Sequence, residues 1–281
     1  MNYEIDRNET KEPALHEMAA AALASLKGNA GLNRGFFLMI EGFRIDMGGH
    51  NNDPVAHLHE ILEYHKTVAV VQKFVDENPD TLVISTSDHE TGGFTLGNQD
   101  DPDTYPEYLW RPEVIDRATA STEKLTLQLY HFNTQSIKEP TQKEREQFVR
   151  SEILGLGLGI TDPTPQEIAF LSSKDVDYLK VLPFLGHAIS RRANLGWTTL
   201  GHTGVDVNLY ATGDGFGELR GNHENTEIGE VMSNYLKVDL SYITRKLQKT
   251  AWSWFQSKED SEFFSASTGR RVRSQHQKSG H

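Results

Sequence analysis

The sequence predicts an α/β fold with parallel strands, and the prediction depends on two strand-like runs joined by a helical one. The apolar run 36–40 and the run 81–86 each lead into a polar, glycine-containing segment, and residues 54–77 between them carry apolar side chains at helical spacing. Strand, helix and strand in this order form a βαβ crossover, whose two strands are parallel. Because such sheets bind ligands beyond the carboxyl ends of their strands, we expect both polar segments at one edge.

Helices follow from local start and stop signals. The first is predicted over residues 13–27, before a Gly-Asn stop. The next starts at Asp53 and Pro54, because Asp can cap a helix and the fixed φ of proline suits the first helical position. Beyond about residue 98, acidic residues and prolines indicate a segment that leaves the core, a helical insertion over about residues 98–195. Further elements are expected near 114–130, 142–154, 165–171, 180–192 and 225–236 as helices, 155–159 as a glycine-marked loop and 205–211 as a strand.

Composition excludes several classes of function. The chain of 281 residues has 28 basic and 40 acidic side chains and a formal charge of −12, which argues against nucleic acid or an anionic membrane as the main partner. It contains no cysteine, so neither a disulfide nor a thiolate metal site can form. No apolar run reaches about 18 residues, the length of a membrane span, and the first residues lack a signal-peptide pattern. We therefore expect no targeting or transmembrane segment in this sequence.

The polar segment after residues 36–40 carries candidate metal ligands. Glu41 offers the hard oxygen ligand that magnesium prefers, and Asp46 and His50 offer oxygen and nitrogen ligands that zinc accepts. One segment could therefore serve two metals. The alternative for an Asp-x-x-x-His pair is helix capping or hydrogen bonding within a loop. We interpret the segment as a ligand-bearing loop.

Two later segments carry further candidates. Asp88 and His89 directly follow the run 81–86, where α/β enzymes place ligands. His202 lies between glycines, whose backbone freedom allows close approach to a site, although a single histidine is more often a hydrogen-bonded core or surface residue. Three other histidines fall on the helix predicted over 54–77 and are interpreted as helix-surface or packing residues: His57, His59 and His65.

Three ordered motifs resemble the metal-binding motifs of alkaline phosphatases, most of all the fungal vacuolar type. They are Glu-Gly-x-Arg-Ile-Asp-x-x-x-His-Asn-Asn, Thr-x-Asp-His-Glu-Thr-Gly-Gly and Gly-His-Thr-Gly-x-Asp-Val, within a resemblance that covers roughly residues 1–240. The resemblance implies a three-layer α/β sandwich with a mixed, largely parallel sheet, a homodimer and a vacuolar or secretory location. It also implies the ligand sets: Asp46, His50 and His202 for a first zinc, Asp88 and His89 for a second zinc, and Glu41 for magnesium.

The resemblance covers the C-terminal portion of the family domain only. The family's serine nucleophile in Asp-Ser-Ala, its phosphate-binding arginine and an aspartate that bridges zinc and magnesium are all expected in the half that precedes this sequence. No catalytic nucleophile is therefore assigned in this chain, and Asp260-Ser261, in a polar stretch followed by Glu262, is rejected. We expect the sheet to be incomplete at its N-terminal side, with an unpaired strand edge and an uncovered apolar face. The first zinc site, with all three ligands present, should bind best.

The resulting functional hypothesis is hydrolysis of phosphate monoesters through a phosphoserine intermediate at a site with two zinc ions and magnesium. The alternative is a truncated, catalytically inactive relative that still binds metal. A phosphomutase or sulfatase of the wider superfamily is disfavoured by the joined second and third motifs. Residues 1–240 are interpreted as the C-terminal part of the catalytic domain, and residues 241–281 as a divergent segment whose basic tail, from residue 268, we expect to be disordered.

Overall fold

The computed structural model describes residues 1–29, 35–99 and 101–255. The described residues divide into two compact units, with the boundary between residues 219 and 220. The tail that the sequence predicts to be disordered lies outside the described residues. None of the described helices combines the length and the apolar character needed to cross a membrane.

Most described residues of the first unit are helical or lie in connecting segments. Its helices are α1 (Leu15–Asn29), α2 (Phe43–His50), α3 (Pro54–Glu77), α4 (Pro112–Asp116), α5 (Thr122–Gln135), α6 (Gln142–Phe148), α7 (Pro165–Leu171) and α8 (Tyr178–Ala193). Its strands are β1 (Leu82–Thr86) and β2 (Leu209–Gly213). Short 3-10 helices occupy Glu4–Asp6 and Phe216–Leu219, and a π-helix, Val149–Gly157, continues α6. The second unit contains α9 (Asn225–Tyr235) and α10 (Leu240–Phe255).

The long helix α3 is positioned by its first residues. One carboxylate oxygen of Asp53 accepts hydrogen bonds from the N–H groups of Val55 and Ala56 at 2.9 and 3.0 Å, and Pro54 occupies the first turn. The other oxygen accepts from the N–H and hydroxyl of Thr122 at 2.7 and 2.9 Å. The predicted start of this helix is confirmed, and its cap also fixes the start of α5.

The hydrophobic core lies mainly in the segment that the sequence predicts to leave the core. Val55 joins the same cluster and so anchors α3 against it. The expectation that this segment leaves the core is therefore wrong, because the apolar faces of its helices pack against one another. The helical insertion over about residues 98–195 stays a prediction. The predicted single helix 114–130 is two helices, since the Ser121 side chain caps a new one by accepting from the Lys124 N–H. Fully buried members include Leu125, Leu129, Ile153, Leu154, Leu185 and Ile189.

The glycine-marked loop predicted at 155–159 is wrong at its start, because the π-helix continues through Gly157. A Cβ on Gly157 would lie 2.4 Å from a methyl carbon of Leu125. The glycine therefore allows the π-helix and α5 to pack closely. A methyl group at this position would displace the Leu125 side chain.

The sheet differs most from the prediction. In the described residues it consists of β1 and β2, which are antiparallel, with Leu82 opposite Gly213. Residues 36–40 form no strand there, so the parallel crossover predicted from them is wrong. Their side chains still alternate, since Phe36 contacts Phe74 of α3 while Phe37 and Met39 are 58% and 76% exposed. Without a neighbouring strand, an apolar run of this kind leaves half its side chains in water.

Candidate metal centre

Asp46 and His50 lie on α2, where the sequence analysis expected a loop. Positions four apart face the same side of a helix, and here His50 Nε2 lies 3.4 Å from Asp46 Oδ1. Two buried glycines let this helix approach its neighbours. A Cβ on Gly48 would lie 3.0 Å from the His57 backbone nitrogen, and one on Gly49 would lie 3.0 Å from the Thr91 methyl group. The glycine pair, which suggests a loop in sequence, serves close packing instead.

Three segments that are distant in sequence meet at this helix. The segment after β1 supplies His89, and the segment before β2 supplies His202. One ligand atom each from Asp46, His89 and His202 lie within 4.8 Å of one another. The His50 and His202 Nε2 atoms are 3.2 Å apart, and the rings of His89 and His202 stack with centroids 3.6 Å apart. We call Asp46, His50, His89 and His202 the metal cluster.

The other two predicted ligands, Asp88 and Glu41, lie at the edge of the metal cluster or outside it. Asp88 Oδ2 is 3.3 Å from His89 Nε2, with its side chain 83% exposed. Glu41 is exposed on the extended segment before α2, and no described contact joins it to the metal cluster. His89, which the resemblance assigns to a second zinc, lies among the residues assigned to the first. The structure thus gathers five of the six predicted residues without dividing them into two sets.

Two donor separations in the metal cluster are close to those found around a tetrahedral cation. Metal–ligand distances of 2.0–2.1 Å separate two ligand atoms by about 3.3–3.4 Å in a tetrahedron. The observed separations are 3.2 Å between the His50 and His202 Nε2 atoms and 3.4 Å from His50 to Asp46. Two imidazole lone pairs at such a distance repel unless a proton or a cation lies between them. A nitrogen and oxygen donor set without thiolates suits zinc.

The tautomer of His50 is fixed by its outer nitrogen. Nδ1 lies 2.6 Å from the carbonyl oxygen of Leu200. Since a carbonyl oxygen can only accept, Nδ1 carries the hydrogen, and the lone pair of the neutral ring is on Nε2, which faces the metal cluster. The same bond attaches α2 to the segment that carries His202.

Residues next to the ligands hold them in place. Thr91 Oγ1 donates to Asp46 Oδ1 at 2.6 Å and lies 3.3 Å from His89 Nδ1. The hydroxyl therefore orients a carboxylate, a role typical of groups that support metal ligands. Thr91 belongs to the second motif, but the motif alone predicts no function for it. Its position two residues after His89 is the signal that could have identified it.

Glu90 joins the segments that carry His89 and His202. One oxygen accepts from the N–H of Thr203 at 3.0 Å and from its hydroxyl, and the other accepts from the N–H of Gly93 at 2.7 Å. Burial raises the pKa of Glu90, but the hydrogen bonds together lower it by more, so the net pKa is below its ordinary value. Glu90 is therefore an ionised carboxylate that connects the two segments. Its partner Thr203 is 113 positions away, so the contact cannot be predicted from the sequence.

His57 packs behind the metal cluster. Its ring contacts those of Phe94 and Trp197, with centroids 5.4 and 5.8 Å away. Burial lowers the pKa of His57 to about 4, and the charge of Glu90 opposes this only in part. The interpretation of His57 as a packing residue is thus confirmed.

Comparisons with known proteins agree with these motifs. A model of the alkaline phosphatase family matches residues 1–238. The alkaline phosphatase of Schizosaccharomyces pombe is 43% identical over 250 residues, which cover 88% of this chain and 45% of that protein. The repressible alkaline phosphatase of Saccharomyces cerevisiae is 37% identical over 259 residues, with the same two coverages, 88% and 45%. The chain thus spans less than half the length of these relatives.

Solved structures show the same similarity. A cold-active alkaline phosphatase from Shewanella sp. superposes with a TM-score of 0.67 at 26% identity, over 84% of this chain and 53% of that one. The Thermus thermophilus alkaline phosphatase gives a TM-score of 0.63 at 26% identity, over 85% of this chain and 51% of that one. The predicted α/β class is confirmed, while the three-layer sandwich stays a prediction.

Proposed function

Because this chain belongs to the alkaline phosphatase family, we propose that its metal cluster binds zinc and serves the hydrolysis of phosphate monoesters. The convergence of the His50 and His202 Nε2 atoms to 3.2 Å, beside the carboxylate of Asp46, is the observation that carries the proposal. These three residues would hold the first zinc. Asp88 and His89 would contribute to a second zinc, and Glu41 to magnesium.

Bound zinc would supply a Lewis acid that polarises a phosphoryl oxygen and lowers the pKa of a bound water. The chain's own residues present imidazole nitrogen and carboxylate oxygen donors on an open surface, where His202 is exposed. A formal charge of −12 would repel an anionic phosphate ester, so local cations are needed for such a substrate. The serine of a phosphoserine mechanism is expected outside this sequence. A homodimer and a vacuolar or secretory location are proposals from the family alone.

A second candidate is a metal-binding relative that does not turn over substrate. The exposed apolar side chains of Phe37 and Met39 favour it, because they mark a surface that the described chain does not cover. In that case the metal would stabilise the fold or an assembly.

The test uses the full 281-residue chain, purified and supplied with zinc and magnesium. Zinc content by atomic emission and hydrolysis of a chromogenic phosphate monoester at alkaline pH are measured for wild type and His202→Ala. His131→Ala, at an exposed position on α5, is the matched control. Turnover that His202→Ala abolishes and His131→Ala retains would establish catalysis. Zinc binding without turnover would favour the non-catalytic candidate, and absence of zinc binding would contradict both.

A further inference from the structure

Asn52 lies at the junction of three elements around the metal cluster. It is 2% exposed and follows α2 with φ 49°, a left-handed conformation that asparagine tolerates better than most residues. Its Nδ2 donates to the carbonyl oxygens of Gly49, in α2, at 3.0 Å and of Thr199 at 2.8 Å. Its Oδ1 lies 3.0 Å from His187 Nε2 on α8. Both amide hydrogens and the amide oxygen are therefore engaged.

The partners of Asn52 adjoin the metal ligands. Gly49 directly precedes His50, and Thr199 precedes Leu200, whose carbonyl oxygen accepts from His50 Nδ1. The segment that carries His202 is thus held to α2 at two successive carbonyl groups. One is bound by the Asn52 amide and the other by the ring of His50. Loss of the first bond would leave one of these two direct hydrogen bonds, that from His50 to Leu200, beside the indirect connection through Glu90 and Thr91.

The orientation of the Asn52 amide is determined by its surroundings. Turning it over would place Oδ1 against two carbonyl oxygens, which have no hydrogen to donate. His187 therefore donates from Nε2 to Oδ1. The backbone of α8 also touches this turn, because a Cβ on Gly186 would lie 2.2 Å from the carbonyl oxygen of Asn52. Helix α8 thus holds Asn52 through a hydrogen bond and through backbone contact.

We propose that Asn52, oriented by His187, is a positioning residue of the metal centre that ties the helix carrying His50 to the segment carrying His202, so that the ligands are prearranged for a divalent cation. The proposal rests on the proposed function in assuming that this cluster binds zinc. It requires no contact between Asn52 and the metal. A prearranged site binds more tightly because less ordering accompanies binding.

The test measures zinc affinity of the full chain by competition with a chromophoric chelator. Asn52→Gly suits the left-handed backbone and removes the whole side chain, including the amide. Asn52→Asp, a second variant, keeps the shape but sets a carboxylate oxygen against the carbonyls of Gly49 and Thr199. Each should weaken zinc binding by roughly 10- to 100-fold. Asn133→Ala, which removes a part-buried amide bonded to Tyr178, is the control and should bind zinc as wild type does.

A readout specific to the metal centre separates positioning from general stability. Substitution with Co²⁺ gives visible absorption bands that depend on coordination geometry, and we expect these to change in both Asn52 variants and not in Asn133→Ala. Wild-type affinity and bands in either folded variant would overturn the Asn52 proposal alone. A wild-type chain that binds no zinc would overturn the proposed function, and the positioning role with it.

Discussion

His50 Nε2 lies 3.2 Å from His202 Nε2, although 152 positions separate the two residues in sequence. Neither side chain reaches this position by local structure alone. His50 is placed by α2 and by its Nδ1 bond to Leu200, while the segment that carries His202 is tied through Glu90 to the segment after β1. The chain therefore brings these two imidazoles together through its own hydrogen bonds.

Zinc should stabilise the folded chain measurably. Ligand at about 100 times its dissociation constant adds roughly 2.7 kcal/mol to the free energy of unfolding when only the folded state binds. We expect the thermal unfolding midpoint to rise with zinc in wild type and in His131→Ala, and to be nearly insensitive to zinc in His202→Ala. Differential scanning fluorimetry with and without chelator measures this. An equal rise in His202→Ala would place the bound zinc elsewhere.

Thr91→Val should weaken zinc binding while preserving the packing of its methyl group against Gly49. The substitution removes the hydroxyl that donates to Asp46 at 2.6 Å. Loss of such a supporting hydrogen bond lowers metal affinity by roughly 10-fold or more. Thr91→Ser keeps the hydroxyl and is the control, with an affinity close to wild type. If calorimetric titration gave Thr91→Val and wild type the same affinity, the carboxylate would need no such support.

Local signals in the sequence predict some elements well. Asp53 followed by Pro54 starts α3 as expected, and α7 has the predicted bounds because Thr164 and Glu167 form a capping box at its start. Residues 36–40 fail as a strand since a strand exists only with a neighbour, and none lies beside them in the described chain. Helix α2 is missed because its glycine pair serves tertiary contacts that local patterns do not contain.

The metal cluster likewise combines residues that local motifs predict with contacts that only the folded chain creates. Three motifs contain all of its residues, because candidate ligands can be predicted from residue type and spacing. The residues that hold the ligand segments together could not be assigned, since their partners are distant. Asn52 bonds to His187 over 135 positions, and Glu90 bonds to Thr203 over 113. Asn52 and Glu90 stand within the first and second motifs, but residue type and spacing alone do not give an asparagine or a glutamate these roles.

Asp53→Ala should destabilise the fold by about 2–4 kcal/mol. The substitution removes the cap of α3, and it leaves the buried N–H and hydroxyl of Thr122 without an acceptor. Burial raises the pKa of Asp53 above its ordinary value, and the four hydrogen bonds to its carboxylate oppose this rise only in part. Thr141→Ala removes an exposed cap on α6 and should cost only about 1 kcal/mol. Urea unfolding measures both. Equal effects would mean that the bonds between Asp53 and Thr122 contribute little.

The buried His57 should make stability depend on pH. Its pKa is lowered to about 4 by burial, whereas an unfolded histidine titrates near 6.5. Between these values the unfolded state binds more protons, so this contribution is complete above about pH 6.5 and is lost as pH falls toward 4. The change is on the order of 3 kcal/mol at most.

Carboxylates also titrate over this range, so the comparison requires a variant. His57→Phe keeps an aromatic ring against Phe94 and Trp197 and should show a shallower loss of stability between pH 7 and pH 4.5. Urea unfolding at the two pH values gives the difference for each protein. The exposed His131, replaced by Phe, should leave the wild-type slope unchanged. A slope for His57→Phe as steep as wild type would mean that His57 is accessible to protons in the folded state.

Gly186→Ala should be destabilising, although alanine favours helices over glycine by about 1 kcal/mol. The added Cβ would lie 2.2 Å from the carbonyl oxygen of Asn52, and backbone atoms cannot move aside cheaply. We expect a net loss of about 1–3 kcal/mol in urea unfolding, as is usual for overpacking. Gly229→Ala on α9, where a Cβ would meet nothing within 4 Å, should instead be neutral or stabilising.

Because the clash of Gly186→Ala falls on Asn52, this substitution should also weaken zinc binding, whereas Gly229→Ala should not. A Gly186→Ala chain that lost stability but bound zinc normally would show that the ligand segments keep their arrangement when α8 moves away.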